Sequence, residues 1–283
     1  MKPNDLPAST GWEAELKLGF VRRSEATVLV ERRHRGPLRV QKALYPEGEG
    51  VCQALLLHPP SGLVGGDHLQ IGVQVGEGAH AQLTTPGAGK WYRSAGAEAA
   101  QILDFSVATG GTLEWLPQET IVFDGALARM HSHVAISGDA RFLGWEILCL
   151  GRSAAGERFT QGHLALATRI ERDGRPLWVE RGQLDGDDPL LASPVGFAGA
   201  TVSATLLATL PVGFAAAPLL EACRAIAPAD GAHCGLTALS GLLVARYLGD
   251  ASEAARHWLT QLWRLLRPAL LGREAIIPRI WNT

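Results

Sequence analysis

The chain lacks the short motifs that mark most enzymes. It contains no GxSxG nucleophile turn, no HExxH zinc motif and no GxxxxGK[ST] phosphate loop. The nearest phosphate-like piece, Pro86-Gly87-Ala88-Gly89-Lys90, has no leading glycine and no Ser or Thr after the lysine. A strand or turn follows it instead of a helix, so nucleotide binding is not expected there. The four cysteines, Cys52, Cys149, Cys223 and Cys234, are scattered, and none forms a CxxC. Neither a zinc knuckle nor a redox pair is indicated, and free thiols in a cytoplasmic protein are the expectation. The net charge of -2 offers no grip for nucleic acid or an anionic membrane. The opening MKPNDLPASTGWEAE has no apolar core or cleavage site, so no secretory leader is expected. Long hydrophobic runs are missing as well. The most apolar stretch, Ala198 to Leu220, is broken by Thr201, Ser203, Thr205, Thr209 and Pro211. It reads as a strand followed by a helix, not as a membrane span.

What the chain does have is glycine and alternation. With 283 residues and 47% hydrophobic content it can bury a full core without disulfides. Its 33 glycines imply many tight turns. In Trp12 to Phe20, residues Trp12, Ala14, Leu16, Leu18 and Phe20 fall on one face, the period of a strand. Thr27 to Arg32 and Leu38 to Leu44 read as strands, joined through Arg33, His34, Arg35, Gly36 and Pro37. Val51 to His58 is apolar on both faces and stops at Pro59 and Pro60. A weak repeat follows. Val73, Val75, Gly78, Ala79 and Leu83 match Phe105, Val107, Gly110, Gly111 and Trp115, and more loosely Val134, Ile136, Asp139, Ala140 and Gly144. The spacing of about 30 residues suits stacked β-coils, and a plain β-meander fits the same pattern.

Arg141 to Leu150, Leu164 to Ile170 and Leu177 to Leu184 continue as strands, with a turn at Arg172 to Arg175. Asp185 to Pro189 reads as a solvated loop, since no glutamate completes a calcium-binding pattern. Beyond Pro211 the spacing becomes helical, over Pro218 to Ile226 and Gly235 to Leu248. Leu236, Leu239, Leu243 and Val244 share one helical face there. Ser252 is expected to cap a third helix ending near Pro268. It would turn Ala254, Ala255, Trp258, Leu262, Leu265 and Leu266 inward and Arg256, Arg264 and Arg267 outward. Trp258 and Trp263 are also candidates for exposed apolar surface that would limit solubility without partners. The expectation is one domain over residues 1–283. It comprises a mainly β body over 11–210 and a few helices near the C-terminus, in a segment of about 212–271.

Metal chemistry is open on the residues alone. His131 and His133 lie two apart, on one side of a strand, at a spacing that two ligands or an exposed pair share. His58, His68 and His80 surround the central stretch without ligand spacing. Asp67, Glu114, Glu119, Asp124, Glu146 and Glu180 sit in or beside apolar strands. Such carboxylates must be paired, bind a cation or face water. Asp67 after Gly65 and Gly66 fits a turn former, and Glu146 and Glu180 fit ion pairs with Arg152 or Arg181.

Seven segments in order carry a resemblance. They are GPLRVQKALYPEG (36–48), LLLHPPSGLVGGD (55–67), TTPGAGKWYRS (84–94), LEWLPQETIVFDGA (113–126), GWEILCLGR (144–152), WVERGQL (178–184) and PRIWNT (278–283). Through them the chain resembles the UreD-type, also called UreH-type, urease accessory proteins. One departure is Ser61, where the family usually has glycine; the turn should survive unless it needs a positive φ. The resemblance implies a β-helix-like solenoid and a chaperone without catalytic residues. It implies complexes with a UreF-type accessory protein, a UreG-type GTPase and the urease apoprotein, and nickel delivery through a tunnel. It places tunnel carboxylates at Asp67, Glu146 and Glu180, a transient path for Ni²⁺ with no permanently bound cofactor. Single carboxylates with water attract and release a cation, whereas a closed cage would trap it. A docking scaffold that never touches metal is the alternative.

Overall fold

A computed structural model describes residues 11–228 and 231–282. The chain winds as a parallel β-solenoid with antiparallel strands closing both ends. The first sheet is built from β1 (Glu13–Arg23), β2 (Ala26–Arg35), β6 (His68–Val75), β9 (Ala99–Val107), β12 (Leu127–Ile136), β14 (His163–Arg172) and β15 (Arg175–Asp185). Their order is β15-β14-β12-β9-β6-β1-β2, parallel from β1 through β14 and antiparallel at either edge. The second sheet runs in parallel through β4 (Cys52–Leu57), β7 (His80–Thr84), β10 (Thr112–Leu116) and β13 (Arg141–Leu150). β3 (Arg39–Val40) flanks it on one side. On the other side β16 (Val202–Thr209), β18 (Leu242–Gly249) and β17 (His233–Leu239) follow in antiparallel order. A third, short ladder of β5 (Gly62–Leu63), β8 (Gly89–Trp91) and β11 (Thr120–Val122) leans on the second half of β13.

The weak repeat of the sequence is the coil of this solenoid. Val73, Phe105 and Val134 stand opposite one another in the ladder, as do Val75, Val107 and Ile136, and Leu83, Trp115 and Gly144. These side chains stack along the axis because each coil rises by one strand spacing, about 4.8 Å. Between coils the turns are tied by side chains. Asp139 accepts from the Gly110 amide at 2.7 Å, and Asp173 accepts from the Gly138 amide at 3.0 Å.

Two apolar layers result. One fills the space between the sheets, with Leu16, Leu18, Val73, Phe105, Leu113 and Ile170. The other lies under α1 (Ala216–Arg224) and α2 (Ser252–Leu271), which cover the outer face of the second sheet. None of the described helices packs on the outer face of the first sheet.

The C-terminal third differs from its sequence reading. Gly235 to Leu248 is the β17–β18 hairpin, turning at Ser240 and Gly241. β18 buries Leu243, Ala245 and Tyr247 under the helices and Leu242 and Val244 between the sheets. A strand apolar on both faces has no period of its own, and it imitated a helical stripe. α2 carries no side-chain cap from Ser252, runs past Pro268 to Leu271 and ends at Gly272 in the left-handed region. Trp258 is buried, in line with its inward facing, so neither it nor the buried Trp263 forms exposed apolar surface; Arg267 is fully buried and Leu265 is exposed, against the expected facing of both.

Candidate functional site

A cavity of about 670 Å³ lies between the sheets. Its walls change along the axis. One inward row of the first sheet runs Leu16, Ile71, Leu103, Ser132, Thr168, Glu180 from β1 to β15. The facing row of the second sheet is Glu146, Thr205, Arg246 across β13, β16 and β18. These rows are therefore apolar at the early coils and polar at the late ones. Strand alternation produces this, since Phe142, Leu148 and Leu150 share the inner face with Glu146 while Leu143, Trp145 and Ile147 face the helices.

Glu146 and Glu180 both line the cavity, and Asp67 does not. Glu180 pairs with Arg246 at 2.7 Å, not with Arg181, and the Arg246 guanidinium lies 5.6 Å from the Trp178 ring. Glu146 has no hydrogen-bonding or ionic partner among the described residues, and the expected Arg152 is held by Glu157 at 2.6 Å. What surface Glu146 exposes belongs to the cavity wall. Enclosure and then the Glu180 charge push its carboxyl from the usual 4.5 up to about 7. Asp67 is buried and accepts from the amides of Trp12 (2.8 Å) and Val64 (2.9 Å), the role of a turn former. The glycines before it are required. Gly66 has φ +94, and a Cβ on Gly65 would meet the Ser94 hydroxyl at 2.3 Å and the Ala97 carbonyl at 2.6 Å. Ser61, where glycine was expected, sits at φ +71 and closes the double-proline turn onto His58 at 2.9 Å.

His131 and His133 lie on the outer face of the first sheet, away from the cavity carboxylates. His131 is exposed. His133 is held between Asp104 at 3.1 Å and Glu171 at 3.4 Å, on opposite ring nitrogens. Among the described residues no three His, Cys, Asp or Glu side chains are grouped to hold a metal ion. The Thr84 to Arg93 stretch divides its work. Thr85 to Lys90 line the cavity, Trp91 is buried and Arg93 pairs with Asp124 at 2.9 Å. Thr84 accepts from the Trp281 indole at 2.8 Å, so Trp281 near the C-terminus is docked on this stretch.

The fully buried carboxylate of the same sheet, Glu114, is fully partnered. It receives His80 at 2.7 Å, the Trp263 indole at 2.8 Å and Arg267 at 3.0 Å, and Arg267 also pairs with Glu47 at 2.7 Å. Burial alone would raise its carboxyl, and His80 and Arg267 outweigh that and hold it at about 2. Sequence reasoning missed Arg246 and Arg267. Arg246 would have been legible from strand alternation had β18 been read as a strand.

No helix among the described residues is long and apolar enough to cross a membrane. A family model for UreD urease accessory proteins matches residues 13–282. A urease accessory protein UreD from Dechloromonas aromatica (strain RCB) is 66% identical over 276 residues, covering 97% of this chain and 96% of that one. One from Azoarcus sp. (strain BH72) is 57% identical, covering 98% and 96%. One from Pseudomonas aeruginosa is 53% identical over 279 residues, covering 99% and 98%. A stacked β-solenoid carrying the ordered motifs of these proteins, matched almost from end to end, belongs to the UreD family of urease accessory proteins, which serve urease maturation without being enzymes.

Proposed function

We propose that this protein is a docking scaffold of urease maturation in the cytoplasm. It would hold the urease apoprotein together with a UreF-type accessory protein and, through that complex, a UreG-type GTPase. The observation that supports this most is the asymmetry of the two sheets. The outer face of the second sheet lies under α1 and α2, while no described helix covers the outer face of the first, where Ile102 is 43% and Val179 52% exposed. Exposed aliphatics on a rigid face, amid charges such as Arg169, Arg181 and Asp104, suit a protein partner. Substituting Ile102→Asp and Val179→Asp should leave the circular dichroism spectrum unchanged and abolish co-purification with the UreF-type protein or with urease. Unaltered assembly and full urease activation would sink this reading.

A second reading, passage of nickel as cargo, is favoured by Glu146. A carboxylate enclosed in a cavity without a partner is costly unless a proton or a cation visits it. Glu180 shares the same wall, whereas Asp67 spends its oxygens on backbone amides, which leaves two of the three expected carboxylates for the path. Glu146→Gln and Glu180→Gln should lower the nickel content of activated urease while the accessory complex still assembles. Full nickel loading with both variants would leave the scaffold alone.

A further inference from the structure

The ion pair between Glu180 and Arg246 occupies a particular place. β15 is the edge strand of the first sheet, and β18 is the last strand but one of the second. The pair therefore spans the gap between the sheets at the late-coil end, where the cavity wall includes Glu180, Gln183, Leu190, Phe197 and Arg246. Glu146 lies behind it, two strands further in, with Thr205 of β16 between Glu146 and Arg246 in the ladder.

We propose that Arg246 gates the late-coil mouth of the cavity: clasped to Glu180 it closes the gap and neutralises one carboxylate, and swung away it leaves Glu180 and Glu146 as a two-carboxylate seat for a hydrated divalent cation. The inference rests on the nickel-passage reading and adds to it the residue that decides when the seat is free.

Three observations support it. The clasp is a partly exposed pair, 36% for Glu180 and 44% for Arg246, so water and salt compete for it and it opens at little cost. The guanidinium has a second contact in the Trp178 ring, a cation–π surface on which it can move without losing all support. The Trp178 indole N–H is buried with no acceptor among the described residues, so the closed arrangement leaves one polar group unsatisfied and is not a fully optimised lock. In the closed state Arg246 bonds Glu180 and not Glu146, and the nearby Glu180 charge acts on the Glu146 carboxyl. A cation that displaces Arg246 therefore meets two carboxylates, Glu180 freed of its arginine and Glu146, which has no cationic partner among the described residues.

The test uses the full-length chain titrated with Ni²⁺ by isothermal calorimetry, alongside the nickel content of urease activated with each variant. Arg246→Gln and the similarly sized Arg246→Met should bind Ni²⁺ about three- to tenfold more tightly than the unsubstituted protein, from the freed carboxylate and the removed positive charge. Arg246→Lys, which keeps the charge, should stay near the parent affinity. Adding Glu146→Gln to Arg246→Gln should erase the gain. Damage to folding would weaken binding, so tighter binding reads the gate specifically. If both neutral variants bind no more tightly while Glu146→Gln alone weakens binding, the gate is wrong and nickel passage stands. If Glu146→Gln and Glu180→Gln change neither binding nor urease nickel, nickel passage fails and the gate fails with it.

Discussion

Glu114 and Glu146 lie on neighbouring strands of one sheet and answer burial in opposite ways. Glu114 points outward under α2 and is surrounded by His80, Trp263 and Arg267. Glu146 points inward to the cavity and has only the like charge of Glu180 acting on it. The first carboxyl is held at about 2 and the second is pushed up to about 7. Enclosure raises both; the partner set alone reverses the sign at Glu114. The outward face thus invests its charge in attaching α2 and the C-terminal segment. The inward face keeps a carboxylate whose charge depends on what enters the cavity.

The sharpest way to break this contrast is to remove the outward carboxylate. Glu114→Ala leaves Arg267 buried with Glu47 as its one carboxylate partner, beside the Glu274 carbonyl, and should cost about 3–5 kcal/mol in urea unfolding. Because the folded value of Glu114 lies below its ordinary 4.5, its contribution is present above that pH and is lost as pH falls towards 2. An equally stable variant would mean the network is ornamental. Next in size is Glu146→Gln. The folded state of the parent holds a proton at Glu146 that the unfolded chain has released between pH 4.5 and 7, so stability falls as pH rises through that window, by about 3 kcal/mol. The variant should show that loss removed in unfolding curves recorded across the window, and an unchanged pH profile would refute an unpartnered carboxyl. The smallest effect belongs to neither site. Ser61→Gly relieves a left-handed residue beside the cavity and should raise stability by about 1 kcal/mol, seen as a higher unfolding midpoint. If the midpoint does not rise, the turn carries no strain worth relieving.

Much of the solenoid was legible beforehand. The alternation of Trp12 to Phe20 and the repeat from Val73 to Gly144 both mark residues that stack in register. The hairpin of β17 and β18 was not, because β18 is apolar on both faces and matched a helical spacing as well as a strand. The facing of α2 failed at Arg267 for a related reason. An arginine on a helix is outward by default, and only the buried Glu114 and Glu47 beneath it overturn that. Glu146 and Glu180 were identifiable as carboxylates in apolar strands, but Arg246 as the partner of Glu180 joins residues 66 apart in the chain.

By itself the sequence determined the local physics: strand period, turn chemistry at Gly66 and Asp67, and the repeat length that makes coils stack. These depend on neighbours in the chain and on backbone sterics. Only the tertiary structure decided which carboxylates are neutralised, because that depends on which distant side chains the coils bring within a few ångströms. It gave Asp67 two amides, Glu180 an arginine and Glu114 a full set of donors, and it left Glu146 facing the cavity without a partner.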